Sequence, residues 1–285
     1  MHIRIFSPAG HCDSVVIDGG VETLMSWGFD VSVSAHAKGK YGRFAGTVED
    51  RAQDIIDALN DPEVDVLYAS RGGYGCMQIL DKIPLELIAS AKKPVFGYSD
   101  ITALHALWQK AGVVSVHAHM MKHLGEDSIH PTVLAVKDIL VAFANKGVSA
   151  SCSPILNNKA LSEALNMTFS YPIIGGNLAV LSGLHGTPFD FDYKDKILFI
   201  EDIKESPYKV DRMMNQLRLG GVFSQIKALI IGQFTGCDED PEMPKCLYDT
   251  MKDMVEPYGI PMIFNAPIGH VDNNVPVVEG MPMII

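Results

Sequence analysis

Of the 285 residues 47% are hydrophobic, and 34 acidic side chains outnumber 23 basic ones for a formal net charge of −11. That is enough apolar material for one large core or two moderate ones, and the acidic balance with scattered Lys and Arg argues against binding nucleic acid through a basic surface. The apolar start at residues 2–6 is too short for a signal-peptide core, no other run approaches membrane-spanning length, and the cysteines at positions 12, 76, 152, 237 and 246 show no pairing motif, so the expectation is a cytoplasmic chain with reduced thiols and no membrane partner.

Strand-like runs at residues 2–6, 29–33, 64–69, 94–97 and 113–116 are separated by helical stretches at 14–27, 48–59 and 101–110. Such βαβ alternation predicts an α/β fold whose N-terminal half is a flavodoxin-like, mostly parallel sheet with helices on both faces. A helix at 131–145 closes this half, and the polar, irregular stretch 147–166 reads as the crossing to a smaller C-terminal α/β half. The expected organisation is a domain over 1–147, a linker over 148–166 and a second domain over 167–285. In the second half Gly175-Gly176-Asn177-Leu178 opens a short helix, a strand at 196–200 delivers Glu201 and Asp202, and a helix at 207–219 follows with proline at its start. A strand at 228–232, a helix at 244–258, an apolar segment at 263–269 and a strand at 275–278 complete the chain.

Two glycine-rich corners fall at adjacent strand ends, where open α/β sheets bind ligands. In Phe96-Gly97-Tyr98-Ser99-Asp100-Ile101 a strand ends in glycine and a helix opens at once, the kind of corner that exposes a nucleophilic hydroxyl. Ile101 stands where a second glycine would complete G-x-S-x-G, and the plain alternative makes Ser99 the helix N-cap. The second corner, Ser70-Arg71-Gly72-Gly73-Tyr74-Gly75, lets backbone N–H groups approach a ligand oxygen, as an oxyanion hole requires, although a flexible or phosphate-holding loop would read alike. It lacks the spacing of a nucleotide-binding fingerprint.

Glu201 can hold an imidazole in one tautomer, or else cap the next helix or pair with Arg212. His270 ends an apolar segment on the same side and supplies the imidazole. His117, His119 and His123 cluster after a strand, but no carboxylate or cysteine set completes a metal site there, and no metal is expected. His105 reads as packing or solvated. Arg71 is the candidate for making the site locally positive toward an anionic peptide.

The segments SRGGYG, GYSDITALH, GGNL, LFIEDIKESPYKVDRMMNQL and PIGHVDNN follow one another in the order and approximate spacing of the serine L,D-carboxypeptidases, the muramoyltetrapeptide carboxypeptidase family, which the chain resembles over nearly its whole length. The resemblance implies a nucleophile at Ser99, an acid at Glu201 and a base at His270, meeting at the interface of two domains. The glycine corners then supply an oxyanion hole from the backbone N–H of Asp100 with that of Gly73 or Gly72, and the expected substrate contacts are Arg71, Gly72 and Asn177. No cofactor is implied. The implied substrate is a cytoplasmic murein tetrapeptide losing its terminal D-alanine in cell-wall recycling.

A sister group in the family cleaves peptidyl or aminoacyl nucleotides of the microcin C type, using a C-terminal tryptophan to stack on the base. This chain has only Trp27 and Trp108, both in the first half. A reading from another class is a non-catalytic α/β protein whose glycine corners hold a small anionic ligand. The sequence leaves the oligomeric state open, and a homodimer is allowed.

Overall fold

The computed structural model describes residues 1–146, 157–237 and 240–283. In chain order its strands are β1 (His2–Phe6), β2 (Asp30–Val33), β3 (Val66–Ala69), β4 (Val95–Gly97), β5 (Ser115–His117), β6 (Phe169–Asn177), β7 (Ile197–Ile203), β8 (Ala228–Thr235), β9 (Met262–Ile263), β10 (Val277–Glu279) and β11 (Pro282–Met283). They form a six-stranded sheet ordered β10-β5-β4-β3-β1-β2 and a five-stranded sheet ordered β11-β6-β7-β8-β9. Within the first, β2-β1-β3-β4-β5 are parallel in the flavodoxin-like order. Both β3 and β4 are buried at every residue, as strands covered by helices on both faces must be. The chain reverses direction across the sheet between β1 and β3, so the loops leaving them diverge and open a crevice there.

Two expectations need correction. The strand expected at 275–278 is β10 and does not stay with the second half: it runs antiparallel to β5, pairing Val277 with His117 and Glu279 with Ser115. A local apolar pattern announces a strand without naming its partner. The expected linker contains a helix, Lys159–Leu165, because Leu161 and Ser162 are buried on one side of it. Residues 148–156 of that stretch lie outside the described residues. Asn158 pins this helix to β10, donating to the Val278 carbonyl at 3.0 Å and accepting from its N–H at 2.6 Å.

The helix Thr102–Lys110 holds the two sheets together. Its residues Thr102 to Trp108 are all buried, the signature of a helix covered on every side. One side packs on β6 and the helix Leu178–Leu184. There the Asn177 N–H donates to Thr102 Oγ1 at 3.0 Å. A Cβ at Gly176 would lie 2.3 Å from that same oxygen, so only glycine permits the approach. The element that follows Ser99 is thereby fixed to the sheet that carries Glu201. Among the described residues no helix is long and apolar enough to cross a membrane, and the four described cysteines, Cys12, Cys76, Cys237 and Cys246, are free.

Candidate active site

The corner after β4 is strained in one place. Tyr98 is extended, and Ser99 then turns to φ +65°, a left-handed conformation that costs an L-residue roughly 1–2 kcal/mol. The helical residues begin with a 3-10 turn, Ser99–Ile101, whose N-cap is Tyr98 and which has no side-chain cap bond. The N-cap alternative for Ser99 is therefore not met. Asp100 steadies the corner: its carboxylate accepts the Cys76 N–H at 2.8 Å, tying the glycine-rich loop after β3 to the loop after β4, and burial raises its pKa above the ordinary carboxylate range.

Gly72 faces Ser99 directly. A Cβ there would sit 3.0 Å from Ser99 Cβ and 3.2 Å from both Ser99 Oγ and the Asp100 nitrogen. The Gly72 carbonyl accepts the Gly10 N–H at 3.2 Å, which turns the N–H of the next residue, Gly73, to the opposite side of that trans peptide. Neither the Gly73 nor the Asp100 N–H has an acceptor among the described residues. Arg51, fully buried, fixes these loops by donating to the Pro8 and Gly75 carbonyls at 2.7 and 2.9 Å.

Glu201 lies inside β7 rather than beyond its end, next to a register shift between Ile200 and Asp202, and is fully buried. Its Oε2 accepts the His270 Nδ1–H at 2.8 Å, which leaves Nε2 as the basic nitrogen. Gly269, at φ +128°, allows the approach, since a Cβ would lie 3.0 Å from Glu201 Oε2. The histidine loop is held by Asn274 Oδ1, which accepts the Gly269 N–H at 2.9 Å, and by Thr235 Oγ1, which donates to the His270 carbonyl. The Tyr98 ring rests 5.0 Å from the imidazole. Asp202 faces away, accepting from Asn177 Nδ2 and the N–H groups of Ala179 and Ile203, and burial lifts its pKa to about 6. Arg212 stacks over Tyr208 and takes no part.

Ser99, Gly72, Gly73, Arg71 and His270 line one cavity of about 500 Å³, with Ile203 and His270 contributed by the second half. Asn177 is not among the residues that line this cavity. Its Oδ1 caps the helix Leu178–Leu184 through the Val180 N–H and its Nδ2 binds Asp202, so both polar ends are spent on the fold. Of the histidine cluster, His123 lines the cavity, whereas His117 and His119 are buried, His117 against the Tyr98 ring. Burial pushes the His119 imidazole down to about 3, and its Nε2 faces Thr132 Oγ1 and the Asp272 carbonyl. His105 is also buried, bonded to the Gly97 carbonyl. No group of three or more His, Cys, Asp or Glu side chains among the described residues is arranged to hold a metal. Sequence reasoning missed Tyr98 and Asn274, although they adjoin Ser99 in GYSD and His270 in GHVDNN.

Residues 3–118 match the LD-carboxypeptidase N-terminal domain and residues 172–285 the LD-carboxypeptidase C-terminal domain. A probable murein peptide carboxypeptidase of Bacillus subtilis is 31% identical over 98% of this chain and 86% of its own length. The microcin C7 self-immunity protein MccF of Escherichia coli is 24% identical over 93% of this chain and 84% of its own. Among solved structures, muramoyltetrapeptide carboxypeptidase from Oxalobacter formigenes superposes with a TM-score of 0.75 at 26% identity, covering 98% of this chain and 93% of that one.

Proposed function

Because the chain belongs to the LD-carboxypeptidase family, we propose that it is a serine peptidase that releases terminal D-alanine from a murein tetrapeptide, working in the cytoplasm on peptides recovered from the cell wall. The observation that carries this reading is the 2.8 Å bond from His270 to the fully buried Glu201, beside a serine held at φ +65° in the same cavity. His270 Nε2 takes the Ser99 hydroxyl proton as Oγ adds to the carbonyl carbon of the scissile amide. Glu201 fixes the tautomer and stabilises the imidazolium. The Asp100 and Gly73 N–H groups receive the oxyanion. Collapse of the tetrahedral intermediate breaks the C–N bond, and the imidazolium protonates the departing amine of D-alanine. Water, deprotonated by the same histidine, then hydrolyses the acyl-serine ester and restores the hydroxyl.

Arg71 contributes positive charge on the cavity wall for an anionic peptide. Cleavage of microcin C-type nucleotides is the second reading, favoured by the similarity to the self-immunity protein. Against it, Trp108 is buried and bonded to the Lys93 carbonyl, and Trp27 lies under Lys137, so neither indole reaches the cavity. Incubation of the protein with murein tetrapeptide, followed by mass spectrometry, is expected to give tripeptide and free D-alanine. An unchanged tetrapeptide would refute the proposal.

A further inference from the structure

Beside the Ser99 cavity lies a second one of about 400 Å³, lined by Gly10, Arg43, Arg71, Gly73 and Tyr74. Arg71 and Gly73 belong to both, so the two spaces share a wall. In a chain of net charge −11 this cavity has two guanidinium groups and no carboxylate in its lining. Neither arginine enters an ion pair among the described residues. His11 holds the Arg71 guanidinium and the Arg43 main chain. The His11 carbonyl accepts Arg71 Nη1 at 2.9 Å, and the His11 N–H donates to the Arg43 carbonyl at 3.0 Å. Asp13, which lines the adjoining Ser99 cavity with Arg71, is turned to the His11 ring at 3.3 Å. The Arg43 guanidinium lies 5.8 Å from the Tyr74 ring centroid, within cation–π range, which braces it without neutralising it. The floor is bare backbone: a Cβ at Gly10 would meet the Gly72 carbonyl at 3.0 Å and Arg71 Nε at 3.5 Å, closing the space.

Two solvent-exposed guanidinium groups without an acidic partner among the described residues line one space, and their fork geometry suits a carboxylate. We propose that this cavity is a subsite for a second carboxylate on the acyl side of the substrate, the free α-carboxylate of the γ-linked D-glutamyl residue that precedes the acylating residue. The assignment rests on the murein-peptide reading above and adds its specificity. Amidated peptides are then poor ligands because they lose the charge.

The test is calorimetric binding to the Ser99→Ala protein of two tetrapeptides that differ only in a free or amidated D-glutamyl α-carboxyl. The free acid is expected to bind about tenfold tighter, equivalent to about 1.4 kcal/mol. The gap should shrink as ionic strength rises past about 0.15 M. Arg43→Gln should narrow it to less than about threefold, while Arg43→Lys should retain part of it. Equal affinities, or a gap that survives Arg43→Gln in a folded variant, would overturn the subsite. Adenosine monophosphate that competes with the acid peptide and is lost in Arg43→Gln would reassign it to phosphate. D-alanine release by the wild-type protein without an affinity gap sinks the subsite alone. A gap without any D-alanine release supports the subsite and sinks the proposed reaction.

Discussion

Gly72→Ala separates the fold from the chemistry. The new methyl carbon would lie 3.2 Å from Ser99 Oγ and 3.2 Å from the Asp100 nitrogen. In the attacking complex the substrate carbonyl carbon must come within roughly 3–3.5 Å of Oγ, and the oxyanion within about 2.7–3.1 Å of its N–H donors. The methyl therefore fills the place of the reacting carbonyl. Loss of one oxyanion donor alone costs about 10²–10³ in kcat, and loss of approach to Oγ adds to it, so kcat/KM for D-alanine release should fall by at least about 10³. Stability should change little, because Gly72 is not in a left-handed conformation and the 3.0 Å contact to Ser99 Cβ is relieved by a small shift, costing on the order of 1 kcal/mol. The assays are D-alanine release and thermal unfolding of the same preparation. A Gly72→Ala protein within tenfold of wild-type activity would refute the placement of the reaction between Gly72 and Ser99.

Ser99→Gly should be as stable as Ser99→Ala or up to about 1 kcal/mol more so, since relief of about 1–2 kcal/mol of left-handed strain exceeds the roughly 0.5–1 kcal/mol entropic cost of glycine; a clearly less stable Ser99→Gly in thermal unfolding would show that no strain is stored there. Glu201→Gln should lower kcat by about 10⁴ yet add little to His270→Ala in the double variant, because the pair acts as a unit, and losses that multiply in steady-state kinetics would break that coupling. Burial raises Asp202 from 3.8 to about 6 in the folded state, so the folded protein holds this proton more tightly and the group's ionisation opposes folding as pH rises from about 4 to 6. Asp202→Asn should accordingly remove about 1.3 kcal/mol of the stability that the wild type gains between pH 7 and pH 5, and denaturant unfolding with identical pH slopes in both proteins would contradict it.

The first half was legible because its strands are short apolar runs and its first two helices, Ser14–Ser26 and Val48–Asn60, bury one face, so local pattern and global fold agree. Strand edges moved by a residue or two, as where the run at 113–116 became Ser115–His117. What stayed hidden depends on distant partners. β6 contains Pro172 and two glycines and reads locally as irregular, yet it pairs with β7 along Ile173 to Asn177. The return of β10 to the first sheet depends on His117 and Ser115 across the whole chain. At the proposed site, Ser99, Glu201 and His270 stand in the sequence as polar residues at the ends of apolar runs. Asn177 shows the limit of a motif, because an asparagine that caps a helix has the same local sequence as one that binds a ligand. Arg51 was missed because a helical arginine looks solvated until the carbonyls of Pro8 and Gly75 are seen to close over it.

In the proposed reaction Ser99 carries the acyl group. The most direct test measures D-alanine release from murein tetrapeptide by wild type and Ser99→Ala, with calorimetric affinity for the same peptide measured in parallel. Turnover should fall by at least about 10³ in Ser99→Ala, as loss of a nucleophile requires, with peptide affinity within about twofold of the wild-type value obtained at the start of reaction. A folded Ser99→Ala protein that still releases D-alanine within tenfold of the wild-type rate would contradict it.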